Sequence, residues 1–139
     1  VQLTPDDGSV VAAILAGKAS VGATTLEQAL AAKKAGKTID FLYPTDGVIM
    51  IPEMLAIPSN VHKPDVAKAV YDFILSKTGQ DVIVSGFAHS PQPEIAEPEG
   101  AKPWHDLVGV AMTWTHPFVA DVSNHRAQID ETFRSIMAN

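Results

Sequence analysis

The residues best suited to acid–base or metal chemistry are five histidines, at 62, 89, 105, 116 and 125. No two share a spacing that would place them on one helical turn or one strand face, so no two-histidine zinc motif is present. His89, His105, Asp106 and His116 lie in loop-like sequence and could meet only through the fold. Isolated loop histidines are ordinarily solvated or bonded to backbone, and that reading is preferred; a small hydrolase working through His89, His105 and Asp106 is the enzymatic alternative. Ser85 beside Gly86 in "VSGFAHSP" lacks the G-x-S-x-G frame of a nucleophile elbow and reads as a helix end with a glycine stop. The chain has no cysteine, which removes thiolate metal sites, disulfides and cysteine nucleophiles. Asp6–Asp7 and Glu97–Glu99 read as a helix start and a solvated loop, not as an acid–base pair. The expectation is therefore a non-enzymatic protein with no catalytic residue, metal ligand or cofactor.

Binding chemistry is better represented. Thr24 and Thr25 precede an amphipathic stretch, and a helix N-terminus presents free N–H groups that suit an anion. Plain helix capping is the simpler role for either threonine. "YPTDG" places Asp46 and Gly47 in a type I or II turn, with Tyr43 either packed in a strand or lining a cleft. Thr24, Thr25, Tyr43, Asp46 and Gly47 are the candidate ligand-binding residues.

The elements that would position them follow from periodicity. Thr4 as N-cap, Pro5 at the first helical position and Asp6–Asp7 in the first turn predict a helix carrying Val10, Val11, Ile14 and Leu15 on one face, ended by Gly17. "ASVGATT" is β-tolerant, and a second helix, capped by Thr24 or Thr25 and ended by Gly36, carries Leu26, Ala29 and Leu30 inward. "TIDFLYP" alternates Ile39, Phe41 and Tyr43 against Asp40 and Leu42, as a strand does. "VIMIPEMLAIPSN" is a second extended run, confined by Pro52 and Pro58 to an edge, bulge or crossing strand. The strongest helical signal begins at Pro64–Asp65, continues through Val66, Val70, Phe73 and Ile74, is interrupted at Gly79, and ends near Val84. Proline-rich sequence from 87 predicts a surface loop, followed by a short helix from Pro103 bearing Trp104 and Leu107. A last helix, capped by Asp121 or Ser123, carries Ile129, Phe133, Ile136 and Met137. Helices and strands in this order predict an α/β sheet covered by helices.

Composition bounds the partners. Lys and Arg number 10 against 16 acidic residues, for a net charge of -6, and the basic residues form no stripe. Nucleic acid and anionic membrane are disfavoured as partners on that ground. No apolar run approaches the roughly 18 residues of a membrane span, and the opening "VQLTPDDGSV" has neither an initiator Met nor a signal-peptide core. A chain that opens on Val1 in mid-pattern is expected to be a fragment or processed product.

The stretch "VGATTLEQALAAKKAGKTIDFLYPTDGVIMIPEMLAIPSNVHKPDVAKAVYDFILSKTGQDVIV" resembles the C-terminal part of periplasmic solute-binding proteins of ABC transporters. The group is the one that binds ferric iron, thiamine, phosphonates or similar small charged solutes. Val21 to Thr25, Tyr43 to Gly47 and Ala69 to Gln80 carry the resemblance, together with "EIAEPEGAKPWHDL" and "VSNHRAQIDETFRSIM". It implies the C-terminal portion of a two-lobed α/β fold of the type II periplasmic-binding class, with lobes joined by crossing strands. Residues 1–46 would end lobe two, residues 47–139 would hold a hinge strand and the closing part of lobe one, and "VIMIPEMLAIP" would be that hinge. It also implies a periplasmic or extracellular location, a signal peptide upstream, a small polar or anionic solute, and ABC permease subunits as partners. Iron-binding relatives use a pair of adjacent tyrosines; Tyr43 and Tyr71 are not adjacent, so metal binding is not carried over. The apolar faces of Phe73, Ile74, Ile129 and Phe133 lack sheet strands to cover them, which predicts self-association. A stand-alone α/β interaction module is the remaining alternative.

Overall fold

A computed structural model describes residues 3–137. Val1, on which the reading of a processed chain rested, lies outside them. The described residues form seven helices: α1 (Asp7–Leu15), α2 (Leu26–Lys34), α3 (Pro64–Leu75), α4 (Lys77–Ser85), α5 (Trp104–Val108), α6 (His116–Asn124) and α7 (Arg126–Met137). They contain no strand. The expected α/β sheet, and with it a two-lobed fold joined by crossing strands, does not form.

The physical reason lies in pairing. "TIDFLYP" is extended, and its alternation is real: Ile39, Phe41 and Tyr43 are half-buried while Asp40 and Leu42 face solvent. Alternation chooses a face, but a strand also needs a neighbour about 4.8 Å away to take its N–H and C=O groups. The described chain supplies such a neighbour at one point only, a parallel bridge between Val48 and Ala111. There Val48 N–H donates to the Val110 carbonyl (3.1 Å) and Met112 N–H to the Val48 carbonyl (2.9 Å). Beyond it "VIMIPEMLAIP" runs exposed, with Met54 92% accessible. It is not a hinge strand between two bodies.

Local signals explain the helices. α1 is capped by Asp6, whose Oδ1 accepts from Ser9 N–H at 2.7 Å; Thr4, the expected cap, instead donates its hydroxyl to the Asp6 carbonyl. α1 and α2 end in the same way. Gly17 (φ +70°) and Gly36 (φ +73°) take the left-handed conformation. Gly17 and Lys18 N–H then donate to Ile14 and Ala13, and Gly36 and Lys37 N–H to Lys33 and Ala32, closing both helices with paired terminal bonds.

The long helix expected over 64–84 is two helices. It breaks at Ser76, an extended residue (ψ 160°) whose hydroxyl oxygen accepts from Gly79 N–H and so caps α4. Gly79 is therefore an early residue of α4 and not the interruption. A Cβ there would sit 2.1 Å from the Phe73 carbonyl oxygen, so only glycine lets α4 turn this tightly against α3. Gln80, buried, donates to the Ile74 carbonyl and accepts from the Ser90 hydroxyl, while Gln92 donates to the Leu75 carbonyl. These bonds satisfy the carbonyls freed by the break.

α5 forms as expected, with Leu107 buried. The last helix starts earlier than Asp121: Thr115 caps α6, accepting from Phe118 N–H, and the chain kinks at His125 before α7.

The helices pair as α1 with α2, α3 with α4, and α6 with α7. The small core consists of Val11, Ala29, Leu30, Ile95 and Leu107, with Pro98 fully enclosed. Ile95 and Pro98 belong to the proline-rich stretch, which is part of the core and not merely a surface loop. Tyr43 with Lys102, and Lys34 with Glu99, span the expected boundary at residue 46.

Candidate functional site

Thr25 is the N-cap of α2, extended at φ -76° and ψ 155°, and its side chain makes no capping bond. The hydroxyl and the first N–H groups of α2 are thus not used by one another. Thr24 is committed differently: its hydroxyl donates to the Asp7 carbonyl at 3.1 Å, tying the start of α2 to the start of α1. Two adjacent threonines of like sequence signal have distinct roles, one holding the helix pair and the other left half-buried at a helix mouth.

Tyr43 is held by its neighbours. Its hydroxyl oxygen accepts from Lys102 N–H at 3.1 Å, the Lys102 ammonium lies 5.0 Å from its ring centre, and Phe41 meets it edge-on at 5.6 Å. Packing and cation–π contact fix this ring, one contribution of the half-buried face of 39–43. Asp46 is exposed at the turn, and Gly47 (φ +144°) occupies a conformation that favours glycine just before the Val48 bridge. No hydrogen bond, ion pair or ring contact among the described residues joins Thr24 or Thr25 to Tyr43, Asp46 or Gly47.

The histidines separate. His105 Nε2 lies 3.2 Å from its neighbour Asp106 on an exposed surface, His116 opens α6, and His125 pairs with Asp121 one turn back. They do not assemble with His89, and the described residues contain no group of three or more potential metal ligands. The hydrolase constellation of His89, His105 and Asp106 is not built.

His89 has a different partner, Glu97, which its sequence context marked as solvated. His89 Nδ1–H donates to Glu97 Oε2 at 2.8 Å, Glu97 Oε1 accepts from Trp104 N–H at 2.7 Å, and the Trp104 ring lies 5.8 Å from the imidazole. Burial pushes the Glu97 carboxyl up, but the Trp104 amide, the His89 bond and the charges of His89 and His105 outweigh it and hold it below its ordinary value. One carboxylate thus joins two separate points of the 87–104 segment at the start of α5. Only the acid's spacing from a half-buried histidine could have signalled this, and seven intervening residues of loop conceal it.

Two comparisons returned no match, either among curated proteins or among solved structures. A scan against family models matched residues 7–107 to a bacterial extracellular solute-binding protein family. The matched region runs from α1 into α5 and contains all five candidate binding residues and the His89–Glu97–Trp104 cluster.

Proposed function

The chain belongs to the bacterial extracellular solute-binding protein family, a family of binders located outside the cytoplasm, and from that premise we propose that it captures a small polar or anionic solute for the permease of an ABC importer. The single observation that carries the proposal is the family match across residues 7–107. The start of α2 supports the reading. At the mouth of α2, a nine-residue helix, the Thr25 hydroxyl makes no capping bond, and the first-turn N–H groups have no acceptor within the helix, which suits a carboxylate or phosphonate oxygen. Thr24 holds that mouth against α1. Tyr43, Asp46 and Gly47 form a second contact surface, with the tyrosine ring pre-positioned by Lys102.

The test is a thermal-shift screen of small solutes, with hits confirmed by calorimetry. A ligand that binds only the folded chain stabilises it by about 2.7 kcal/mol at a hundred times its dissociation constant. An anionic or zwitterionic hit whose affinity drops on Thr25→Val supports both the function and the site. A hit indifferent to Thr25→Val and to Tyr43→Phe moves the site elsewhere and keeps the function. A broad solute library giving no shift removes the function.

A further inference from the structure

The dipeptide Asp-Gly occurs twice in the chain, as Asp7–Gly8 and as Asp46–Gly47. In this dipeptide the side-chain carboxyl is open to attack by the next backbone nitrogen, because glycine has no Cβ to hinder the approach. Local sequence does not separate the two copies, and neither does exposure, since both aspartates face solvent. Their peptide planes do.

Asp7–Gly8 is held at both ends. The Asp7 carbonyl accepts from the Thr24 hydroxyl at 3.1 Å. The Gly8 N–H faces the Asp6 carboxylate, the same group that caps α1 through Ser9 N–H at 2.7 Å, and an anion beside an amide opposes loss of its proton. Asp7 is also the first residue of α1. Closing a five-membered ring needs Cβ and the next nitrogen nearly eclipsed about the Cα–C bond, which takes ψ out of the helical well at about −42°.

Asp46–Gly47 has none of these restraints. It lies in the turn after Tyr43, outside any helix. Among the described residues no hydrogen bond or ion pair takes the Asp46 carboxyl, the Asp46 carbonyl or the Gly47 N–H; the next fixed amide is that of Val48, which donates to the Val110 carbonyl at 3.1 Å. A Cβ on Gly47 would meet nothing nearer than the Val110 carbonyl oxygen at 3.9 Å, so the space beside this peptide is open.

We infer that Asp46–Gly47 is a modification site: in the folded chain it converts spontaneously, through a succinimide, to isoaspartate, while Asp7–Gly8 is protected. The Gly47 nitrogen attacks Asp46 Cγ and the N–Cγ bond forms. The amide proton and the carboxyl OH leave as water. Water then adds to one of the two ring carbonyls and breaks its bond to nitrogen. Opening at Cγ returns aspartate; opening at the former main-chain carbonyl leaves the chain running through Cγ, with a free carboxylate on Cα. Nothing is oxidised or reduced, and water is the only co-reactant. The product lengthens the main chain by one carbon just ahead of the bridge between Val48 and Ala111.

The test is incubation of the full chain for weeks at physiological temperature in mildly acidic buffer, folded and in urea, followed by trypsin. Asp7 falls in the peptide ending at Lys18 and Asp46 in the peptide from Thr38 to Lys68. An isoaspartyl peptide keeps its mass, elutes apart from its parent and accepts a methyl group from S-adenosylmethionine through an isoaspartyl methyltransferase. In the folded chain the 38–68 peptide should carry at least about tenfold more isoaspartate than the peptide ending at Lys18, a factor equal to about 1.4 kcal/mol in barrier. In urea the two should converge. Asp46→Glu, which would have to close a slower six-membered ring, should abolish methylation of the 38–68 peptide. Folded chain without isoaspartate at 46 overturns the inference, as does equal conversion at Asp7. A ratio unchanged by urea makes the preference one of local sequence and overturns the structural account. Methylation that persists in Asp46→Glu places the reaction at Asp40 or Asp65 and overturns the assignment.

Discussion

Three carboxylates illustrate how a single atom pair is felt in the whole titration. Ser9 N–H holds Asp6 below its ordinary value, and the Lys33 ammonium, at 2.7 Å, does the same for Asp40. Glu97, pushed up by burial, is brought below 4.5 by the Trp104 amide and His89. A carboxyl with a lowered folded-state pKa contributes stability that is complete above its unfolded value and disappears as pH falls through the folded one. Acid unfolding is therefore expected to steepen below about pH 4.5, and Glu97→Gln should flatten that limb while keeping an acceptor for Trp104; melting temperature measured against pH checks it. Ser76→Ala removes the α4 cap and should cost about 1 kcal/mol. Gly79→Ala, which drives a methyl into the Phe73 carbonyl, should cost more, about 1–3 kcal/mol as overpacking does. Urea titration ranks the two, and the reverse order would refute the account of the α3–α4 turn. At this scale much was legible: glycine after an apolar stripe marked the ends of α1 and α2. The bond from Glu97 to His89 was not, because nothing in local sequence tells an acid which loop atom it will meet.

Among elements, burial separates positions that look alike on paper. Leu30 and Leu107 are almost fully enclosed, whereas Leu42 is 86% accessible although it lies in an equally apolar run. Leu107→Ala should cost about 2–5 kcal/mol, and Leu42→Ala less than about 0.5 kcal/mol, read by denaturant unfolding. Equal losses would mean that residues 39–43 are packed on both sides. Helices were readable where a start signal and the 3.6-residue period agreed, as in α2 and α3. Boundaries slipped where a second cap competed: Thr115, followed by Pro117, captured α6 before Asp121 could. The sheet was misread for a physical reason, since Ile39, Phe41 and Tyr43 encode a face and a ladder depends on partners far away in the chain. The candidate site was legible to the same degree. Thr25 as the cap of α2 follows from local signals, while the grip of Lys102 on Tyr43, across 59 residues, does not.

For the whole molecule, the small core is built by α1, α2, the proline-rich stretch and α5, while α3, α6 and α7 bury no residue, and the chain's stability is tied to what else lies against it. Solute acts by mass action. Saturating solute should raise the melting temperature of the chain, measured by scanning calorimetry.

The unladdered passage from Ile49 to Ile57 has a practical corollary. Proteases bind their substrates as extended chain, and here that shape is already presented, with Met54 and Leu55 free to enter a specificity pocket and no ladder to be broken first. Thermolysin or chymotrypsin should nick the native protein within this passage before any helix is cut. Trypsin should instead release the whole region inside one peptide once the protein unfolds. No lysine or arginine lies between Lys37 and Lys63, and the proline after Lys63 shields that bond, so the peptide runs on to Lys68.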